Sequence, residues 1–192
     1  MAIAASQFKQ KGYKSTKLAE IGHKAGLDRA TVYYYFSSKE EIFRECLRSG
    51  VESNIKECVR IFERSQVSPV ERLREIIEQL MRVYDENFPN MYVYIQEDME
   101  SIASDKSIWA SEIINHTKLF EQIIIKLLTE AINIGELRSD LPIVIAANAI
   151  FGMLNWTHRW YVPGEKHDPR EIADTFSRIF LEGMVARKGA AA

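Results

Sequence analysis

Apolar positions along the chain recur at three- and four-residue spacing, and no stretch of any length alternates with period two. The pattern therefore predicts helices throughout. Residues 1–10 carry a stripe through Ile3, Ala4, Gln7 and Phe8 that Gly12 stops. Thr16 is placed to cap a second helix, with Leu18, Ala19 and Ile21 as its contacts and Gly26 as its breaker. Asp28 caps a third. From Lys39 the periodicity is helical to about residue 64, with a weak point at Ser49-Gly50. Ser68-Pro69 opens the next helix, striped by Leu73, Ile76, Ile77, Leu80, Met81 and Tyr84, and Pro89 marks the turn after it. Residues 91–103 hold Tyr92, Val93, Tyr94 and Ile95 in a row, so this helix is apolar around most of its circumference and is expected to be buried or to line a pocket. A long helix follows over residues 108–134, closed by Gly135. Asp140 is placed to cap its successor, which runs to about Tyr161 and ends at Pro163-Gly164. Asp168-Pro169-Arg170-Glu171 reads as a capping box that opens the last helix. The expected architecture is all-α with about nine helices, a small head in residues 1–45 and a larger body in residues 46–192.

Charge distinguishes these two parts. Residues 1–48 hold nine Lys or Arg against five acids, so the rest of the chain carries −6 against a total of −2. A basic head on an acidic body is the polarity expected of a nucleic-acid-binding module with a separate body. Cys46 and Cys58 stand alone and read as small core residues in a reducing compartment. No apolar run approaches the ~18 residues of a membrane span, and the first residues lack the pattern of a signal peptide. A cytoplasmic protein is expected. The four histidines show no metal-ligand spacing, and neither a nucleophile elbow nor a phosphate loop is present, so neither catalysis nor a metal or cofactor is expected.

The most informative stretch is residues 16–39, TKLAEIGHKAGLDRATVYYYFSSK. It reads as two short helices joined by a tight turn. The second presents Arg29, Thr31, Tyr34 and Tyr35 outward, with Val32 and Phe36 as its buried partners at i, i+4. A helix that enters a DNA groove needs such short polar or aromatic side chains on its exposed face. Gly12-Tyr13, Leu18-Ala19-Glu20-Ile21, Ala25-Gly26-Leu27, Thr31-Val32-Tyr33-Tyr34-Tyr35-Phe36 and Lys39-Glu40-Glu41-Ile42 together resemble the DNA-binding head of the tetracycline-repressor (TetR/AcrR) family. The turn from Gly135 to Asp140 also resembles that family. The chain starts within the family's first helix, without a basic arm before it. Carried over by position, the resemblance implies that Thr16, Lys17 and Lys39 meet phosphate. It implies that Arg29, Ala30 and Thr31 meet base edges, and that Tyr33 and Tyr34 meet phosphate or base. Tyr35 stands where many members have His. Tyr33 and Tyr35 also fit core packing, and Lys39 a solvated helix start.

The resemblance further implies a homodimer whose last two helices form a four-helix bundle with their mates, bound to a palindromic operator. Two stripes suit this: Ala147, Ile150, Phe151, Leu154 and His158, and Ile172, Phe176, Ile179, Phe180 and Gly183. The same stripes also suit packing on the chain's own core. Candidate lining residues for an effector pocket are Tyr84, Met91, Tyr94, Ile95, Met99, Phe120, Ile124, Gly152 and Trp156, nearly all apolar, which suits a hydrophobic effector. Between Asn155 and Tyr161, Asn155 pairs with Arg159 and Trp156 with Trp160 at i, i+4 if the helix is continuous. An Arg beside stacked indoles suits a phosphate and an adenine ring, and this segment looks similar to members that answer to acyl-CoA thioesters. Tryptophans in a bundle core with a snorkelling Arg159 is the plainer alternative. The expected function is a ligand-responsive repressor released by a hydrophobic effector such as an acyl-CoA. The alternatives are a multidrug-type sensor repressor and an all-α dimeric interaction protein without DNA binding.

Overall fold

The stripes fold as helices. The computed structural model describes residues 1–88, 90, 91 and 108–184, and among them are eight α-helices, one 3-10 turn and no strand. In chain order they are α1 (Ala2–Ser15), α2 (Leu18–Lys24), α3 (Arg29–Tyr35), α4 (Lys39–Phe62), α5 (Pro69–Glu86), α6 (Ile108–Asn133), α7 (Ile143–Trp156), the 3-10 turn Thr157–Arg159 and α8 (Pro169–Met184). The helix expected over residues 91–103, with Tyr94, Ile95 and Met99, lies outside the described residues apart from Met91.

Side-chain caps start α3 and α5 where the sequence suggests. Asp28 Oδ1 accepts the Thr31 amide hydrogen at 2.7 Å, and Ser68 Oγ that of Glu71 at 3.2 Å with Pro69 at the first helical position. Gly26 closes α2 at φ 70°, a left-handed conformation that glycine adopts at little cost. Four expectations change. The first helix continues beyond a kink at Gly12 (φ 76°) to Ser15. Thr16 does not cap α2, because its hydroxyl turns back to donate to the Gly12 carbonyl at 2.8 Å, and Lys17 takes the capping position. No break occurs at Ser49-Gly50; a Cβ at Gly50 would make a tight 3.3 Å contact with Asn87 Oδ1, where α4 meets the end of α5. Asp140 does not cap α7 either, since Arg138 holds its carboxylate at 2.6 and 2.5 Å and the helix starts after Pro142.

Two apolar cores result. In the head, Ala4, Phe8, Leu18, Ile21 and Val32 close against Ile42, Phe43 and Leu47 of α4. Phe8 meets Phe43 edge-on at 5.2 Å. Three short helices cannot bury enough surface alone, so the start of α4 completes them. Further along, Cys58 and Ile61 of α4 enter the body core with Leu73, Ile76, Ile77 and Met81 of α5, Ile124, Leu127 and Leu128 of α6, and Ile150 of α7. The division expected after residue 45 thus falls inside α4, whose early turns serve the head and whose later turns serve the body. Beneath them, Arg72 is buried yet fully engaged, donating to Glu130 Oε2 at 2.6 Å and to the Phe62 and Val67 carbonyls at 2.6 and 3.1 Å. An uncompensated buried charge is strongly destabilising, and these bonds prevent that here. Head and body also meet where Lys9 Nζ donates to the Glu86 carbonyl at 3.4 Å and Arg48 pairs with Glu112 at 3.4 Å. No described helix is long and apolar enough to cross a membrane.

Candidate nucleic-acid interface and effector site

The turn between α2 and α3 is built by a close crossing. Gly22 lies against Val32, whose Cγ2 would be only 2.7 Å from an added Cβ, so the two helices pack with no room for a side chain at Gly22. Val32 is buried, which fixes the rotation of α3 and turns the opposite side outward. Arg29, Ala30, Tyr33, Tyr34 and Tyr35 are exposed, Thr31 half-buried, and Tyr34 reaches 81% exposure. Three neighbouring tyrosines standing out from one short helix are not core packing. Tyr34 and Tyr35 meet edge-on at 5.0 Å, and the Arg29 guanidinium lies 5.3 Å from the centre of the Tyr33 ring. Lys17 is exposed at the start of α2.

Two residues assigned to phosphate behave differently. The Thr16 side chain is buried and its hydroxyl bonded inside the head, so it is withdrawn from the surface that Lys17 occupies. Lys39 is half-buried; its ammonium donates to the Tyr13 carbonyl at 2.7 Å and lies 4.3 Å from the Tyr13 ring centre, fastening α4 to the end of α1. A sequence pattern cannot reveal such competing intramolecular acceptors. The head's carboxylates are similarly occupied. The Thr31 amide holds the Asp28 carboxyl below its ordinary pKa, Lys11 does the same for Glu20, and the Ser37 hydroxyl and amide for Glu41. His23 went unnoticed in the sequence. With Gly22 and Ala19 of α2 it lines a cleft of about 250 Å³ whose other wall includes Arg29 and Tyr33, and the Ala19/His23 spacing at i, i+4 was the available signal.

In the body the proposed effector residues separate into two groups. Tyr84, Met91, Phe120 and Ile124 point into the core. Gly152, Asn155, Trp156, Arg159 and Trp160 are exposed. One bond bridges the groups: Tyr84 donates to Asn155 Oδ1 at 2.9 Å. The Asn155/Arg159 and Trp156/Trp160 pairings assumed a helix to residue 161, but α7 stops at Trp156 and tightens into the 3-10 turn. That turn advances each residue by about 120° rather than 100°, which moves i+4 off the shared face. Arg159 instead lies 5.1 Å from the Trp156 ring centre, and Trp160 turns away, edge-on to Phe176 at 6.4 Å. Tyr161 leaves solvent altogether and donates to Asp85 Oδ1 at 2.5 Å.

Residues 1–46 match the family described as bacterial regulatory proteins, tetR family, and residues 66–184 match the tetracyclin repressor-like C-terminal domain. The chain belongs to the TetR family. It is a ligand-responsive DNA-binding transcriptional regulator. The HTH-type transcriptional repressor KstR2 of Mycobacterium tuberculosis is 24% identical over 184 residues, spanning 96% of this chain and 90% of that protein. The solved structure of that ketosteroid transcriptional regulator has the same fold, with a TM-score of 0.78 over 97% of this chain and 93% of its own. AibR, solved in complex with isovaleryl coenzyme A and operator DNA, shares the fold at a TM-score of 0.72 and 19% identity, over 93% of this chain and 95% of its own.

In this TetR chain most residues of the two stripes are covered by the chain itself, in keeping with the plainer expectation that they pack on its own core. Ala147, Ile150, Leu154 and Phe180 belong to the chain's own core, Phe151 packs against Phe120 with ring centres 5.9 Å apart, and His158 is half-buried. Phe176 is half-buried against the same core. Only Ile179 and Gly183 of the proposed residues face outward. Among the exposed apolar side chains of the body are Val144, Ile145 (67% exposed) and Trp156 (58%) on α7 and Ile179 (62%) on α8. Because α7 is apolar on nearly every side, its sequence does not identify which side the chain itself covers.

Proposed function

We propose that this TetR-family chain acts in the cytoplasm as a homodimeric repressor with a DNA-binding head in residues 1–45 and a ligand-binding and dimerisation body in residues 46–192. The observation that carries the reading is the outward face of α3, where Arg29, Thr31, Tyr33, Tyr34 and Tyr35 project from a helix capped by Asp28. Arg29 and Thr31 reach base edges; Lys17 and Tyr34 reach phosphate, the contacts that set register rather than sequence choice. A second copy covers the apolar surface of α7 and α8. The two recognition helices then lie roughly 34–36 Å apart, one DNA turn, so the operator is palindromic.

The proposed effector is a hydrophobic acyl chain carried on coenzyme A. Arg159 lying over Trp156 is suited to a phosphate beside a flat ring, and the core behind that pair, with Tyr84, Phe120 and Ile124, is apolar enough to take a chain if it opens around one. The isovaleryl coenzyme A bound by AibR supports the same class. The test is fluorescence anisotropy on DNA selected from a randomised library, followed by titration with CoA thioesters of increasing chain length. Release by a thioester, lost in Arg159→Ala, is expected. Release only by neutral apolar compounds would replace this reading with a multidrug-type sensor, and failure of the dimeric protein to select any sequence would leave an interaction protein without DNA binding.

A further inference from the structure

Arg29 is the first residue of α3 and Tyr33 lies one turn later, so the two share the helix face that leaves Val32 buried. The Arg29 guanidinium lies over the Tyr33 ring, its Cζ 5.3 Å from the ring centre. Both residues are exposed at the cleft between α2 and α3, and among the described residues no carboxylate pairs with Arg29. Asp28, its neighbour, is occupied by the Thr31 amide at 2.7 Å. The guanidinium thus leans on a ring, and among the described residues no carboxylate or carbonyl takes its N–H groups. Guanine presents two acceptors, O6 and N7, in the major groove, and the forked edge of an arginine is their bidentate match. A long side chain free to rotate loses conformational freedom on making that contact; one already leaning on a ring loses less.

We propose that Tyr33 is a positioning residue for base readout: its ring holds Arg29 so that the guanidinium edge selects guanine at one base pair of each operator half-site. The proposal rests on the repressor reading above and adds to it a base identity and a division of labour. Tyr33 acts by its ring face, not by its hydroxyl, and touches specificity through Arg29.

The experiment uses the full chain and DNA selected from a randomised library, with anisotropy on the selected operator and on variants of each position. The wild type is expected to prefer guanine at one position of each half-site, and Arg29→Ala to reduce that preference by roughly 10-fold or more. Tyr33→Leu is expected to reduce it roughly 2- to 5-fold at the same position, Tyr33→Phe to preserve it, and Tyr33→Leu to add nothing to the base preference once Arg29 is Ala. A guanine preference that survives Arg29→Ala overturns the proposal. So does equal weakening of every sequence by Tyr33→Leu and Tyr33→Phe alike, which would assign the hydroxyl to phosphate. A wild type that selects no sequence removes the repressor reading itself, whereas a selected operator insensitive to Arg29 removes only the present proposal.

Discussion

The molecule turns two apolar-looking surfaces to solvent, one on α3 and one on α7 and α8, and they are built from different side chains. The head exposes Tyr33, Tyr34 and Tyr35, each with a hydroxyl at its far end. The body exposes Val144, Ile145 and Ile179, which have no polar atom at all. A tyrosine standing in water keeps its hydroxyl hydrated and can exchange that water for a phosphate or a base, whereas an exposed isoleucine gains only by being covered, at about 25 cal/mol per Å² of apolar surface. The first surface suits a wet, charged partner; the second suits a copy of itself. Exposed aromatic area and exposed aliphatic area are therefore different evidence.

The largest effect is expected where the aliphatic surface is destroyed. Ile145→Glu with Ile179→Glu should convert a dimer to a monomer in sedimentation and weaken operator binding roughly 100-fold or more, because two heads would no longer bind as one unit. A variant that stays dimeric would assign the interface elsewhere. Next, Gly22→Ala forces a methyl group to within 2.7 Å of the stiff Val32 side chain, and the strain should cost about 1–3 kcal/mol in urea unfolding while leaving the α7/α8 surface intact. Unchanged stability would mean that the crossing of α2 and α3 is looser than described. Smaller still, Tyr34→Ala should reduce operator affinity about 5-fold on every sequence, the size of one hydrogen bond, without altering dimerisation or the salt slope, since no charge is removed.

Acid gives the mildest contrast. The Asp28 and Glu41 carboxyls are lowered by their hydrogen bonds to Thr31 and Ser37, so their contribution is complete above the ordinary carboxylate range and is lost as pH falls below that range through the folded values. Protection of the Thr31 amide, its exchange measured against the intrinsic rate at the same pH, should fall there, while Val144, Ile145 and Ile179 do not titrate. Asp28→Asn, which caps without a charge, should remove Asp28's part of that pH dependence. Equal acid sensitivity in both proteins would show that the cap is not its source.

The head was legible because its signals are local. Asp28 caps α3 from three residues away, and Gly26 turns the chain in a left-handed conformation that suits glycine. Where a residue had two partners to choose from, the reading failed. Thr16 had a helix to cap and the Gly12 carbonyl to bond, and it took the carbonyl. Asp140 had amides to cap and Arg138 beside it, and the cation prevailed. Lys39, suited to phosphate by position, found carbonyls at the end of α1. In the body, the stripe Ala147, Ile150, Leu154 is real, yet periodicity names a face without saying what covers it.

The sequence alone determined the all-helical class, the spacing of the helix-turn-helix and the outward placement of Arg29, Tyr34 and Tyr35 on α3, though not of Tyr33. These follow from caps, turns and one buried valine, all within a few residues of one another. Tertiary structure alone decided which side of α7 meets the core, that its regular helix ends at Trp156, and that Arg159 lies on Trp156 rather than across from Asn155. Those outcomes depend on α5, which contributes Tyr84 and Asp85 to Asn155 and Tyr161 from 71 and 76 residues away. No local pattern carries that distance.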